Sequence, residues 1–320
     1  MNAIHTLADG LHLGTAQSAG TLTMVPLLRN KAATLAYLAF GSALKQGLVE
    51  VTELGPGGSV PEVQVVNRAG LPVLFLDGEA LVGAKQNRVL NLSVLVPAKA
   101  TTVIPVSCVE AGRWSPRSRA FVDGESLHFA QGRARKVASV SAAMAAGAGR
   151  RSDQRQVWDN MDSYRCDLEA DAPSGAMQDV YTKVRGTVQD LVDELRCEDG
   201  QVGAAFLLRG ELVGLDVLGD PGTFGELHEK IARSYAIEAL RASTADQVNA
   251  QHVPADLAAT AALVSRALAQ LATASWQPHP AIGLGTDLRL SSPEWDAAAL
   301  AVDDELVHVA AFPRRRAART

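Results

Sequence analysis

The sequence predicts an α+β fold: a β-rich, sandwich-like N-terminal half, a helical middle, and a mixed C-terminal part that packs back as one unit. Three patterns carry this. Residues 21–108 alternate short runs rich in Val, Leu, Ile and Thr with turn signals, as half-buried strands do. Residues 121–196 are rich in Ala, Ser, Gln and charge, and Val180, Val184, Val188, Leu191 and Leu195 recur at a helical period of three to four. Beyond Gly200 strand-like and helix-like patterns alternate again.

The elements follow in order. A helix is expected over residues 32–46, where Leu35, Leu38 and Leu44 recur, and a strand over 48–54. Turn signals stand at 55–58, 67–70 and Asp77-Gly78. The apolar runs 89–96 and 102–109 are too short to pack as helices and read as buried strands. Residues 202–209 and 211–218 bracket Gly210 like a hairpin, which Asp220-Pro221 ends. Thr223 followed by Glu226 has capping-box spacing, and Phe224, Leu227, Ile231 and Tyr235 form the stripe of a helix ending near Ala242. A second helix is expected from about Pro254, with Leu257, Ala261, Val264, Leu268 and Leu271 on one face, and residues 276–312 return to strands. The whole of 1–320 is expected to be one domain, with 21–120 β-rich, 121–198 helical, 199–313 mixed, and 314–320 a basic tail.

With 47% hydrophobic and 20% charged residues, the 320-residue chain can build a sizeable core. No run is long and apolar enough to span a bilayer, and a cytoplasmic protein with no membrane partner is expected. Cys108, Cys166 and Cys197 are far apart and lack CxxC spacing, so neither a disulfide framework nor a metal cluster is expected. No cofactor is named by any motif: Walker A, GxGxxG, HExxH and GxSxG are all absent, and Gly283-Leu-Gly285 is too little for a phosphate loop.

Chemistry concentrates in residues 76–114, LDGEALVGAKQNRVLNLSVLVPAKATTVIPVSCVEAGRW. Lys85, Gln86, Asn87 and Arg88 form an anion-cradle candidate, because Arg presents a flat fork of donors, Lys a compact charge, and the amides can orient a ligand. On a straight strand the four would split between two faces; a bend at Gly83 would let them converge. Asn91 and Arg113 extend the ligand-binding set, and Trp114 is placed to stack on a base or to fill the core. Glu79 and Glu110, with Asp77 beside them, are the candidate acids or bases; the rival assignment is charge balance against Lys85, Arg88 and Arg113. Cys108 is the candidate nucleophile, with a small buried side chain as the alternative. Residues 113–155 carry nine Lys or Arg against three acids, either a wall for phosphorylated ligands or nucleic acid, or a solvated helix and linker.

The segments VVNRAGLPVLFLDGEALVGAKQNRVLNLSVLVPA, IPVSCVEAGRW, GLDVLGDPGTFGELHEKIARSYAIEAL and ELVHVAAF together resemble the ARPP-1 domain family, named for its association with ADP-ribosylglycohydrolase and rhodanese/phosphatase-superfamily proteins. The resemblance covers most of the chain and implies a ligand of the ADP-ribose or NAD class, without a catalytic residue set to carry over. A protein that binds or processes such a ligand through the KQNR cluster is therefore expected. The alternative is a non-catalytic interaction or nucleic-acid-binding accessory protein.

Overall fold

A computed structural model of the chain describes residues 2–29, 34–55, 59, 61–245 and 256–314. Its largest element is a nine-stranded antiparallel sheet assembled from both ends of the sequence. In spatial order it runs His12–Leu13, Leu22–Leu28, Gln201–Leu208, Glu211–Leu218, Glu305–Pro313, Trp295–Val302, Thr286–Ser291 and Gln277–Pro280, with Gln17–Ala19 also paired to Leu22–Leu28. The central hairpin turns at Arg209-Gly210, both at positive φ (53° and 80°), the combination that suits the twist of tightly joined strands.

Both faces of this sheet are apolar, so both must be covered. Ala205 and Leu207 point to the face closed by Ile4 and Leu7 of the helix Asn2–Asp9 and by Val264, Leu268 and Leu271 of the helix Leu257–Thr273. Ala204 and Phe206 point the other way, onto Phe224, Ile231 and Tyr235 of the long helix Pro221–Ala245 and the helices Ala130–Ala145 and Gln154–Asp167. The long helix starts where the hairpin stops: Asp220 Oδ2 accepts from Thr223 N at 2.7 Å, and Pro221 occupies the first turn, where no N–H is needed. Asp220 is thus the cap, in place of the expected Thr223 and Glu226 box; Glu226 instead accepts from Ser42 Oγ at 2.5 Å.

The β-rich N-terminal half closes on itself. Thr101–Cys108, Glu62–Asn67, Val49–Glu53, Ala120–Leu127, Glu79–Gly83 and Arg88–Leu90 form a six-stranded antiparallel barrel around Val51, Val63, Val65, Leu81, Leu90, Ile104, Val106 and Phe121. Ala120–Leu127, placed in the helical middle by its weak alternation, is the strand that closes the barrel; a bulge between Asp123 and Leu127 blurs its period of two. The apolar run 89–96 is two strands, because the chain leaves the barrel after Leu90 and re-enters a three-stranded sheet at Val94–Val96. The expected helix 32–46 is confined, among the described residues, to Phe40–Lys45, while residues 32 and 33 lie outside them. Also outside are Pro254, where the helix now seen from Leu257 was expected to begin, part of the 55–58 turn, and 315–320 of the basic tail.

Gly283 has a packing role. A Cβ there would stand 2.1 Å from the carbonyl oxygen of Leu95, and Leu284 N donates to that same oxygen at 2.8 Å, so the Gly283-Leu-Gly285 loop is docked against the strand Val94–Val96. Among the described residues no helix is long and apolar enough to cross a membrane.

Candidate functional site

Lys85, Gln86 and Asn87 lie in a turn, and Arg88 opens the strand that follows it. Gly83 (φ 118°) and Ala84 (φ 43°) reverse the chain between Glu79–Gly83 and Arg88–Leu90, bringing Lys85, Gln86, Asn87 and Arg88 to one end of the barrel. Glu110 organises the turn. Its Oε2 accepts from Arg113 Nη2 at 2.6 Å and from Asn87 N at 3.0 Å, while Oε1 accepts from Ser174 Oγ at 2.9 Å. Burial alone would push the Glu110 carboxyl up, but these donors outweigh it and hold the group below the usual carboxylate range. Arg113, also buried, donates to the carbonyls of Ala84 (2.8 Å), Gly83 (3.2 Å) and Ser115 (2.7 Å) and so pins both arms of the loop. Gln86 Nε2 donates to the Glu110 carbonyl at 2.7 Å, and Asn87 Oδ1 accepts from Gly83 N at 3.0 Å.

Arg88 is different. It is fully buried, and Nη1 donates to Gln86 Oε1, whereas Nε and Nη2 meet no oxygen and the guanidinium lies against the Cys108 thiol. It faces Cys108 across the strand pair, and burial lowers its pKa. Its guanidinium carbon lies 5.4 Å from the Trp114 ring centroid, and Lys85 Nζ lies 5.5 Å from the same ring. Trp114 is 48% exposed, an aromatic lid over two cations. The Cys108 thiol is buried and pushed up by that burial, with Glu110 N and Arg88 only partly opposing it. Asn91 lies apart from this cluster, accepting from Ser107 Oγ at 2.5 Å and donating to the Arg150 carbonyl at 3.1 Å.

Glu79 belongs to a second cluster. Lys230, on the long helix, reaches Glu79 Oε1 and Asp123 Oδ2, each at 2.6 Å, and so ties the barrel to the helix. Burial raises the Glu79 pKa, with Lys230 pulling the other way; the Lys230 ammonium is itself held up by the two carboxylates against burial.

A third cluster, between barrel and sheet, contains residues that sequence reading had not joined. Arg133 forks onto Asp216, with Nη1 3.0 Å from Oδ2 and Nη2 on Oδ1, and its Nε lies 3.5 Å from Asp77 Oδ2. Lys136 Nζ is 2.9 Å from Asp77 Oδ1. Tyr235 donates to Asp216 Oδ2 at 2.9 Å, and His308 Nε2 lies 3.2 Å from Asp216 Oδ1. Small neighbours make the room: Asp216 pairs in register with Ala204 and Ala310, and a Cβ on Gly214 would meet the Tyr235 hydroxyl at 2.5 Å. Burial pushes Asp216 up, but Arg133 and His308 outweigh it and hold its carboxyl well below the usual range. A detectable signal existed: a lone acid in the apolar strand GLDVL and a lone His in LVHVAAF each require a buried partner.

These contacts also resolve the basic segment. Arg113, Arg133 and Lys136 are buried in ion pairs and Arg150 pairs with Asp287, whereas Arg117, Arg119, Arg135, Arg151 and Arg155 are exposed. The segment is not one continuous surface.

His128, beside this network, is fully buried with neither ring nitrogen hydrogen-bonded. Burial, reinforced by Lys136 and Arg133, holds it well below its usual pKa, so it is neutral when folded. Unfolding returns it to about 6.5, and the unfolded chain then binds the extra proton. His128 is therefore expected to favour the fold above pH ~6.5 and to withdraw about 1.4 kcal/mol per further pH unit as pH falls. Urea titrations at pH 7.5, 6.5 and 5.5 should show this slope, and a folded His128→Leu variant should lose it.

No curated protein and no solved structure matches the chain. The family described as ARG and Rhodanese-Phosphatase-superfamily-associated Protein domain matches residues 10–312, nearly its full length, so the chain that carries this KQNR turn and its Glu110 brace belongs to the ARPP-1 family.

Proposed function

We propose that the protein binds a nucleotide-derived ligand of the ADP-ribose or NAD class at the turn of residues 85–88, with Lys85 and Arg88 meeting phosphate and Trp114 stacking on the base. The carrying observation is Arg88: a buried guanidinium with two nitrogens that meet no oxygen, beneath an exposed tryptophan. An unmade hydrogen bond to a buried donor costs about 1–3 kcal/mol, and more for a charged one, so phosphate oxygens would gain by completing it. Gln86 and Asn87, fixed by Glu110 and Gly83, orient the loop; Glu110 and Arg113 brace it from below.

The proposed activity is binding. Cys108 is a protonated thiol, Glu110 is hydrogen-bonded through both oxygens, and Glu79 is engaged with Lys230. A nucleic-acid role for residues 113–155 draws less support, because the burial of Arg113, Arg133 and Lys136 breaks up the basic surface.

Trp114 supplies the readout. Titration with ADP-ribose should quench tryptophan fluorescence in the wild type, and the change should vanish in Trp114→Phe. In a folded Arg88→Met variant affinity should fall about 10- to 100-fold, the loss of one to two charge-assisted hydrogen bonds. Equal affinity in that variant would remove the proposal.

A further inference from the structure

Ser93 stands where the chain crosses from the barrel strand Arg88–Leu90 to Val94–Val96. Its hydroxyl accepts from Asp77 N at 2.8 Å and lies 2.8 Å from His308 Nδ1. The other ring nitrogen of His308 faces Asp216, which Arg133 holds as a carboxylate. A carboxylate can only accept, so in the neutral ring Nε2 carries the proton, Nδ1 is the acceptor, and Ser93 donates to it. Hydroxyl, imidazole and buried carboxylate thus form a continuous relay of the kind that activates a serine.

A second observation lies in front of the hydroxyl. Asp77, Ser93, Asp287, Arg289 and His308 line a pit of about 10 Å³, room for about one water. Ala298, Ala299, Leu300 and Ala310 complete its lining. Arg289 is 4% exposed; its Nε and Nη2 hold Asp287 at 2.7 and 3.0 Å, and its Nη1 has no partner. A buried cationic donor with one unpartnered nitrogen, lining the same pit as a hydrogen-bonded serine, is suited to receive negative charge. Ser93 is half-buried.

We propose that Ser93 is a nucleophile toward small acyl esters, of formyl or acetyl size, with His308 as its base, Arg289 facing the developing oxyanion, and Asp216 as a positioning residue. Ser93 Oγ bonds to the carbonyl carbon while its proton passes to His308 Nδ1 and the carbonyl electron pair moves onto oxygen near Arg289. Collapse breaks the bond to the leaving alkoxide, which takes the proton from His308. Water then attacks the acyl-serine through the same base, releasing the acid and restoring the hydroxyl. This activity is independent of the ligand proposed at residues 85–88.

The test uses methanesulfonyl fluoride and p-nitrophenyl acetate with the full chain. The sulfonyl fluoride should form an Oγ–S bond at Ser93 with loss of fluoride, located by peptide mass spectrometry. His308→Gln should slow this at least about 100-fold, the usual share of a general base, and added imidazole should restore part of the rate. Asp216→Asn should lower kcat for p-nitrophenyl acetate with KM unchanged, which general loosening would not do. If either variant fails to fold, Ser93→Ala, which removes one hydroxyl, should abolish both labelling and turnover. Labelling of wild-type Ser93 no faster than that of serines in the urea-unfolded chain would overturn the proposal, as would unchanged labelling in folded His308→Gln.

Discussion

Arg133→Met is expected to lower stability by about 3–5 kcal/mol, the cost of leaving a buried charge without its partner. Arg133 is fully buried and holds Asp216 through two nitrogens while its Nε faces Asp77, so its loss strands Asp216 and takes one of two cations from Asp77. Methionine fills much of the same volume, and a cavity therefore contributes little. Lys136 still neutralises Asp77, but Asp216 is left with the hydrogen bonds of Tyr235 and His308 and no guanidinium. Urea denaturation should show a lower midpoint with an unchanged slope. The companion change Asp216→Leu, made in the Arg133→Met background, should recover part of the loss because it removes the stranded charge. An unfolding free energy within about 0.5 kcal/mol of wild type would mean that this network does not join the two halves.

Lys230→Met is expected to cost about 3 kcal/mol near neutral pH and progressively less in acid. The lysine bonds both Glu79 and Asp123 at 2.6 Å, and without it two buried or nearly buried carboxylates face one another. Burial already raises the Glu79 pKa, and losing Lys230 removes its main opposition. In the variant, Glu79 is then protonated in the fold at a pH where the unfolded chain has released that proton. The folded state binds more protons, so stability falls as pH rises above the unfolded carboxylate range of about 4.3 and is regained toward it. Melting curves at pH 5 and pH 8 should therefore differ more for Lys230→Met than for wild type. Parallel curves would place the Glu79–Lys230 contact outside the stability of the fold.

What could be read in advance followed local chemistry. The hairpin at Gln201–Leu208 and Glu211–Leu218 was visible because two apolar runs bracket Gly210, and the long helix because Phe224, Ile231 and Tyr235 keep its period. The α+β class and β-rich N-terminal half were visible in the same way, although barrel closure was not. That closure depends on pairing Val49–Glu53 with Ala120–Leu127, a contact between distant segments with no local signature. The polar residues around KQNR were visible as a group, and Gly83 as the place for a bend. Their burial was not, because Glu110, Arg113 and Ser174 reach the turn from outside its own stretch of sequence. Arg133 and Lys136 looked like members of a surface charge run. Three residues apart, they share the inward face of their helix, and the acids that hold them come from Asp77 and Asp216.

The most direct measurement is isothermal titration of ADP-ribose and of NAD into the wild-type protein and into Arg88→Met, with folding of the variant verified by its melting curve. Binding at residues 85–88 predicts saturable heat from at least one ligand in the wild type and a loss of most of that affinity in the folded variant. No heat from either ligand, or the same isotherm in both proteins, would contradict it.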